Sequence, residues 1–142
     1  MKIKTKLRIS IYVNKKKRVV TVVTENDTSL LAIDMICRFE SNKGCITEPS
    51  VLSRFMIPNR FTGIARCDMD DKFDESVGIK IAVDKMYNKL SNSIKKQLVL
   101  YKKYLANVAK SADNELVLSD TSYTTLEYSD KDISIAVRKT IL

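Results

Sequence analysis

Residues 2–13 read KIKTKLRISIYV, and this stretch decides how the chain begins to fold. Its odd positions are apolar or threonine, whereas its even positions are mostly charged. The odd set is Ile3, Thr5, Leu7, Ile9, Ile11 and Val13, and the even set is Lys2, Lys4, Lys6, Arg8, Ser10 and Tyr12. Because successive side chains of a strand point to opposite faces, this period of two predicts an ordered strand with one apolar and one cationic face.

The same N-terminal region holds all the excess positive charge of the chain. Residues 1–18 contain eight basic and no acidic side chains, and the formal net charge is +8. From residue 19 onward, seventeen basic and seventeen acidic residues cancel. A cationic strand face suits anions such as phosphates. Lysines on an edge strand also deter association between sheets, so both interpretations stay open at this point.

Length and composition predict one globular domain over residues 1–142. The chain is 44% hydrophobic and 30% charged, as soluble globular proteins are. It has no apolar run near the roughly 18 residues that span a bilayer. The basic N-terminus lacks the uninterrupted apolar segment of a signal peptide. We therefore expect a cytoplasmic protein that does not enter a membrane.

The residue inventory argues against an enzyme and against a metal centre. The sequence has no histidine, and its three cysteines, Cys37, Cys45 and Cys67, form no CxxC pair. A transition-metal site would lack its commonest ligands, and serine–histidine or cysteine–histidine nucleophiles are excluded. General acid–base chemistry would fall to carboxylates, lysine or tyrosine. The sequence predicts no catalytic residues, no metal, no cofactor and reduced thiols.

The predicted fold class is α+β, with an N-terminal antiparallel sheet followed by long helices and a short C-terminal element. Residues 1–67 are expected to be mainly β, 74–112 mainly α, and 115–142 C-terminal strands or a helix. The turn NKKK at 14–17 joins the first strand to RVVTVVT at 18–24, which predicts a hairpin. A helical turn near 50–55 and a short strand over 60–67, interrupted by Gly63, should follow.

Two segments are ambiguous, and two further strands are short. Leu31, Ile33, Met35, Cys37 and Phe39 alternate, which favours a strand over 28–40, although a helical face is also compatible. Residues 129–142 suit either a helix or a strand. Short strands are expected at 115–119 and 123–128.

The longest helical pattern follows an acidic cluster. Apolar residues recur there every three or four positions, at Ile79, Val83, Met86, Leu90, Ile94, Leu98, Tyr101, Leu105 and Val108. Asp74 is the expected N-cap, and Ser91-Asn92-Ser93 predicts a kink or a break. The cluster itself, at Asp68, Asp70, Asp71 and Asp74, lacks the spacing of a calcium loop. A stripe longer than a small sheet can cover predicts a homo-oligomer.

One motif connects the third strand to that helix. It consists of GIARC at 63–67, DDKFD at 70–74 and GIKIA at 78–82. Gly63 and Gly78 allow close approach of strand and helix. The Arg66 guanidinium suits phosphate oxygens. Phe73 either packs at the start of the helix or offers its ring to a base.

This motif resembles a pattern of small bacteriophage proteins, among them the phage anti-Thoeris sponges. The resemblance covers about twenty residues, and the chain departs from the pattern at Asp68 and Met69, where histidine and proline are usual. It implies an oligomer that sequesters a cyclic ADP-ribose signal without cleaving it, and so silences a bacterial immune effector. The implied ligand residues are Arg66 for phosphate, Phe73 for base stacking, and Asn88 or Asn92 for hydrogen bonds to adenine.

The leading hypothesis is therefore a phage or prophage protein that binds and sequesters a phosphorylated small-molecule signal. One alternative is a small basic nucleic-acid-binding protein that uses the lysine strand. Another is a protein inhibitor of a host defence enzyme. Nucleic-acid affinity should fall steeply with salt, whereas a pocket for a two-phosphate ligand should respond less.

Overall fold

The computed structural model describes residues 5–44, 47–111 and 133–142. The strands are β1 (Thr5–Asn14), β2 (Val19–Thr24), β3 (Thr62–Arg66) and β4 (Ile133–Ile141). The helices are α1 (Leu31–Lys43), α2 (Pro49–Leu52) and α3 (Glu75–Ser111), and a 3₁₀ turn at Ser53–Phe55 follows α2. The predicted α+β class is confirmed, as are the short strand before the long helix and the helical turn near 50–55.

The described strands form one mixed sheet in the order β3-β2-β1-β4. β1 and β2 pair antiparallel, which confirms the predicted hairpin, and β2 pairs antiparallel with β3. β4 instead lies parallel to β1, with Thr5 opposite Ile133 and Val13 opposite Ile141. The predicted antiparallel pairing holds for the N-terminal strands β1–β3, and the C-terminal element joins the sheet as a parallel strand, which makes the sheet mixed. Of the segment 129–142, for which helix and strand were both open, Ile133–Ile141 forms a strand, and residues 129–132 lie outside the described residues.

β1 is an interior strand, which changes the meaning of its cationic face. Lys6 and Arg8 are exposed where β1 extends beyond β2, with β4 on one side and hydrogen bonds to Glu25 and Asn26 on the other, so they do not protect an open strand edge. At β3, the edge strand of the described sheet, lysines of α3 cover the strand edge instead. The Nζ atoms of Lys85 and Lys89 donate to the carbonyl oxygens of Ile64 and Thr62, each over 3.0 Å. Lys2 and Lys4 lie outside the described residues.

α1 occupies the segment for which the alternation favoured a strand, so that prediction is wrong. The helix buries Leu31, Ala32, Met35 and Ile36, a spacing of one helical face, and leaves Cys37 exposed. Gly44 ends the helix in the left-handed region at φ 67°, and its N–H donates to the Glu40 carbonyl. The SNKG sequence at 41–44 therefore acts as a helix terminus, where a left-handed glycine is common.

α3 runs without interruption from Glu75 to Ser111, so the predicted break at residues 91–93 does not occur. Ser91 is buried, between the fully buried Leu90 and a fully buried Ile94 one turn later. Poor helix formers cost only a few tenths of a kcal/mol each, whereas burying one large aliphatic side chain stabilises by about 1.5–3 kcal/mol. The apolar stripe therefore overrides propensity. The strands predicted at 115–119 and 123–128 lie outside the described residues.

The described residues group into two compact units, and α3 contributes to both. The sheet unit comprises 5–28, 58–92 and 133–142, and the helical unit comprises 29–44, 47–57 and 93–111. The organisation of residues 1–142 as a single domain stays a prediction. The core of the sheet unit is formed by Leu7, Ile9, Ile11, Val13, Val20, Val22, Phe61, Ala65, Ala82, Met86, Leu90 and Ile133.

Two glycines let α3 approach the sheet closely. A Cβ atom on Gly63 of β3 would lie 2.0 Å from the Ala82 carbonyl oxygen and 2.7 Å from the Met86 nitrogen. A Cβ atom on Gly78 would lie 2.8 Å from Cγ2 of Val20 on β2. Backbone of the helix thus packs directly on backbone of the strand. This arrangement explains why the motif places glycine in both elements.

The helical unit is organised around a buried carboxylate. Glu40, only 4% exposed, accepts a hydrogen bond from the Tyr101 hydroxyl at 2.7 Å and one from the Thr47 backbone N–H at 3.0 Å. The Thr47 hydroxyl also donates to it. The Tyr101 ring makes edge contacts with Phe39 and Phe55. Such a network is stabilising only when every buried polar group is paired.

In the described ranges, no helix is both long enough and apolar enough to cross a bilayer.

Replacing Gly63 by alanine should destabilise the protein strongly, because the new methyl group would meet helix backbone that cannot move aside. We expect a loss of about 3 kcal/mol or more in the free energy of unfolding, measured by urea denaturation. Gly44→Ala is the control, since its Cβ would meet no atom within 4 Å and only the positive φ is strained. It should cost about 1 kcal/mol. Equal losses would contradict the close packing.

Replacing Glu40 by alanine should destabilise the helical unit by about 2–3 kcal/mol, because the Tyr101 hydroxyl and the Thr47 groups lose their acceptor. Glu40→Gln keeps an acceptor oxygen of the same shape and should cost less than half as much. Tyr101→Phe removes one donor only and should cost about 1 kcal/mol. Thermal unfolding followed by circular dichroism ranks the three, and a different order would contradict the network.

Candidate functional site

A cavity of about 220 Å³ opens where β3 turns into α3, within the sheet unit. Its walls come from the end of the strand, the connecting loop and the first two turns of the helix. The lining residues are Ala65, Arg66, Cys67, Asp68, Asp71, Lys72, Phe73, Asp74, Val77, Gly78 and Ile81. The motif that the sequence singled out therefore surrounds this cavity.

Cys67 and Arg18 shape the loop that forms one wall. The Cys67 backbone N–H donates to the Arg18 carbonyl at 3.0 Å, which extends the pairing of β3 with β2 by one residue. The Arg18 guanidinium donates to the Met69 carbonyl at 3.0 Å and to the Cys67 sulfur at 3.4 Å. Arg18 itself lies at φ 57°, in the tight turn of the β1–β2 hairpin. The hairpin turn therefore holds the loop in place.

Asp74 fixes the start of α3, as the sequence predicted. Its Oδ1 accepts from the backbone N–H groups of Ser76 at 2.9 Å and Val77 at 3.3 Å. A side chain that satisfies these otherwise unpaired donors is an N-cap. Asp74 also lines the cavity. Its Oδ1 atom already accepts hydrogen bonds from the helix, which leaves Oδ2 for a ligand.

An ion pair joins the helix start to β4. Lys139 donates to the Glu75 carboxylate. The hydrogen bond from Lys139 is the main reason that the pKa of Glu75 is lowered from its ordinary value, with the charges of Lys139 and Lys15 adding to it. A lowered carboxyl pKa stabilises the folded state at pH values above the ordinary one, and that contribution is lost as the pH falls through the lowered value.

The cavity lining carries charges of both signs. Arg66 and Lys72 are cationic, whereas Asp68, Asp71 and Asp74 are anionic, so the formal sum is −1. Arg66 makes no hydrogen bond or ion pair to another described residue, and its side chain is exposed. The Phe73 side chain is half-buried. The site thus offers a cation, a ring and several acceptor oxygens in a small volume.

The four predicted ligand residues separate into two pairs. Arg66 and Phe73 line the same cavity, although they lie at opposite ends of the loop. Asn88 and Asn92 are exposed on α3 and are not part of the lining. Sequence reasoning did not include Lys72, Asp68 or Asp71 as ligand residues. The acidic cluster was the available signal, but it was assigned to helix capping and solvation alone.

Cys37 does not have the features of an activated thiol. Cys37 and Cys67 are free, and Cys45 lies outside the described residues. Burial raises the pKa of Cys37, and the neighbouring carboxylates of Glu40 and Asp34 raise it further. A thiol that stays protonated is a weak nucleophile. Across 5–44, 47–111 and 133–142, no three acidic or cysteine side chains converge as a metal-ion site requires.

Comparison with protein-family models, with curated proteins and with solved structures gives no match.

Asp74→Ala should destabilise the protein by about 1 kcal/mol, because the first turn of α3 loses its capping oxygen. Asp74→Asn keeps an oxygen in the same position and should stay within a few tenths of a kcal/mol of the parent. Urea denaturation measures both values. If the alanine and asparagine variants were equally stable, Asp74 would not be acting through the cap.

Proposed function

We propose that this protein binds a phosphorylated small molecule at the β3–α3 cavity and acts by holding it, without converting it. The observation that carries the proposal is the convergence of Arg66 and Phe73 on one cavity. A guanidinium suits phosphate oxygens, and an aromatic ring suits a base. Nucleotide sites combine a stacking surface with a few convergent polar groups in this way.

The mixed charge of the lining favours a nucleotide over a bare phosphate. With three carboxylates near two cations, a small polyanion would meet repulsion as well as attraction. Carboxylate oxygens, however, accept hydrogen bonds from ribose hydroxyls and from exocyclic amines. We therefore expect a ligand that presents a phosphate to Arg66 and hydroxyl or amino groups to Asp68 and Asp71.

The cavity volume requires part of the ligand to lie outside it. Sites for drug-sized ligands usually enclose about 300–1,000 Å³, and this cavity has about 220 Å³. A dinucleotide-like ligand would place only its base or its phosphate inside. A second copy of the chain would then cover the remainder. The proposal therefore includes a homo-oligomer.

The edge strand offers a surface for a second copy. β4 bears Ile135, Val137 and Ile141, which are 41%, 59% and 55% exposed. Apolar side chains this exposed on a strand commonly become buried on association. In the proposed assembly, contacts along β4 bring copies of the chain together, and a second contact at the β3–α3 end covers the ligand, because β3 and β4 are opposite edges of the described sheet.

The resemblance of the motif to anti-Thoeris sponges specifies the proposal further. The ligand would be a cyclic ADP-ribose isomer, and the protein would act in the host cytoplasm by lowering the free concentration of that signal. A sponge needs no catalytic base. The absence of histidine from the sequence is compatible with this mode of action.

Isothermal titration calorimetry with cyclic ADP-ribose isomers, ADP-ribose and inorganic phosphate tests the ligand. Arg66→Ala should weaken nucleotide binding at least tenfold, because a charge-assisted hydrogen bond contributes about 1.5–3 kcal/mol. Phe73→Leu should weaken it about fivefold or more through lost stacking. Arg54→Ala is the matched control: it removes an exposed arginine of the 3₁₀ turn and should leave affinity unchanged.

Native mass spectrometry of protein from cells that make such signals tests retention and assembly together. We expect oligomers that carry the intact ligand, and Val137→Lys should shift them towards monomers. The ligand released by denaturation should have the mass of the one supplied. Turnover of the ligand, or equal affinity of Arg66→Ala, Phe73→Leu and the parent for every compound, would contradict the proposal.

A further inference from the structure

The outer sheet face is the face of the sheet opposite α3, and Arg66 of the cavity lies on it too, because Arg66 follows Ile64 by two positions in β3. We define it by Lys6, Arg8 and Tyr12 on β1, Arg138 on β4 and Ile64 on β3. All five side chains are exposed. The opposite face of the sheet packs on α3 through Gly63 and Val20. We propose that the outer sheet face binds single-stranded nucleic acid through Lys6, Arg8, Tyr12 and Arg138, none of which lines the ligand cavity.

The strand register brings the cations of this face together. Ser10 pairs with Arg138, and Arg8 lies two residues before Ser10 on the same side of β1. Lys6 lies two residues before Arg8, again on the same side of β1. The exposed lysines 15–17 of the hairpin turn continue the cationic surface beyond the other end of β1. At about 3.3 Å per residue, residues 6–14 span roughly 26 Å, enough for several nucleotides.

Hydrogen bonds from the residues after β2 hold the backbone of Lys6 and Arg8. β2 pairs with β1 only as far as Ile9. Beyond that point the Asn26 side chain makes hydrogen bonds to the β1 backbone. Its Oδ1 accepts from the Arg8 N–H at 2.9 Å, and its Nδ2 donates to the Lys6 carbonyl at 3.1 Å. The Glu25 N–H donates to the Arg8 carbonyl at 2.8 Å. The Lys6 and Arg8 side chains themselves make no hydrogen bond or ion pair to another described residue.

One carboxylate moderates the charge of this face. Glu25 accepts a hydrogen bond from the Ser10 hydroxyl and lies 3.8 Å from Nε of Arg138. Arg138 is 76% exposed in its side chain, so this contact leaves most of its guanidinium accessible. Arg138 on β4, in contact with the Glu25 carboxylate, is therefore placed to meet an incoming phosphate.

Tyr12 is the reason to prefer single-stranded nucleic acid over another polyanion. It is 38% exposed, and the residues paired with it on the neighbouring strands are Thr21 and Thr140. Ile64, opposite Thr21 on β3, adds exposed apolar surface beyond it. Proteins that bind single strands combine such a ring, on which a base stacks, with cations that follow the backbone.

Fluorescence anisotropy with labelled oligothymidylate and oligouridylate of about 20 nucleotides tests the proposal at about 50 mM and about 200 mM salt. Lys6→Gln with Arg8→Gln should lower affinity at least tenfold. It should also reduce the slope of log affinity against log salt by about 1.4, since each phosphate contact on a single strand contributes about 0.7. Tyr12→Leu should lower affinity about fivefold or more with little change in slope.

Lys103→Gln with Lys110→Gln is the matched control, because it removes the same charge from exposed positions of α3 and should change affinity less than about twofold. A duplex of the same sequence should bind more weakly. Absence of binding by the parent at the lower salt would overturn the proposal. So would equal binding of duplex and single strand with Tyr12→Leu unaffected, or binding only to anionic vesicles or acidic proteins.

The same variants separate this proposal from the function proposed for the cavity. Lys6, Arg8 and Tyr12 do not line the cavity, so their replacement should leave nucleotide titrations unchanged. Arg66→Ala weakens the nucleotide, and Lys6→Gln with Arg8→Gln weakens the oligonucleotide. Loss of both activities in both variants would overturn the independence of the two surfaces.

Discussion

The sheet unit depends on the direct contact between the backbone of α3 and the backbone of β3. A methyl group at Gly63 would lie 2.0 Å from a helix carbonyl, and one at Gly78 would lie 2.8 Å from the side chain of Val20. At this distance the helix has one position on the sheet. The two ends of the loop between β3 and α3 are therefore fixed relative to each other. The side chains of this loop surround one small cavity. Lys85 and Lys89 are placed by the same contact, and they cover the carbonyl groups at the free edge of β3.

This contact divides the motif into residues with a structural task and residues without one. Gly63, Gly78 and Ala82 serve the packing, and Asp74 caps the helix. Cys67 holds the loop through its contacts with Arg18. Arg66 has no such task among the described residues. Much of the pattern that resembles phage sponges can thus be explained by strand–helix packing alone. Any functional content must lie in what packing leaves over, namely Arg66, Phe73 and the exposed carboxylates.

Local patterns predicted the parts of the fold that depend on local interactions. The hairpin, β3 and the stripe of α3 each combine a hydrophobic period with turn or capping residues, and all three are confirmed. α1 was missed because its apolar residues satisfy a period of two and a helical face equally well over a short segment. The parallel pairing of β4 with β1 depends on residues more than a hundred positions apart, which no local pattern encodes. Of the candidate site, the motif identified Arg66 and Phe73, but position along a helix alone could not show whether Asn88 or Asn92 turns towards the cavity.

The described basic residues of the N-terminal segment do not line the cavity, although Arg66 of the lining lies on the same sheet face as Ile64 and Tyr12. The cavity lining sums to −1, whereas the described part of the N-terminal excess lies on β1 and on the hairpin turn. A basic isoelectric point therefore says nothing about the cavity ligand. At Lys6 and Arg8, β4 lies on one side of β1 and hydrogen bonds to Glu25 and Asn26 occupy the other, so these cations are not explained by the protection of an open edge. Each exposed cation on a shared face raises the cost of folding through mutual repulsion. A nucleic acid bound to this face, as proposed above, would neutralise these cations.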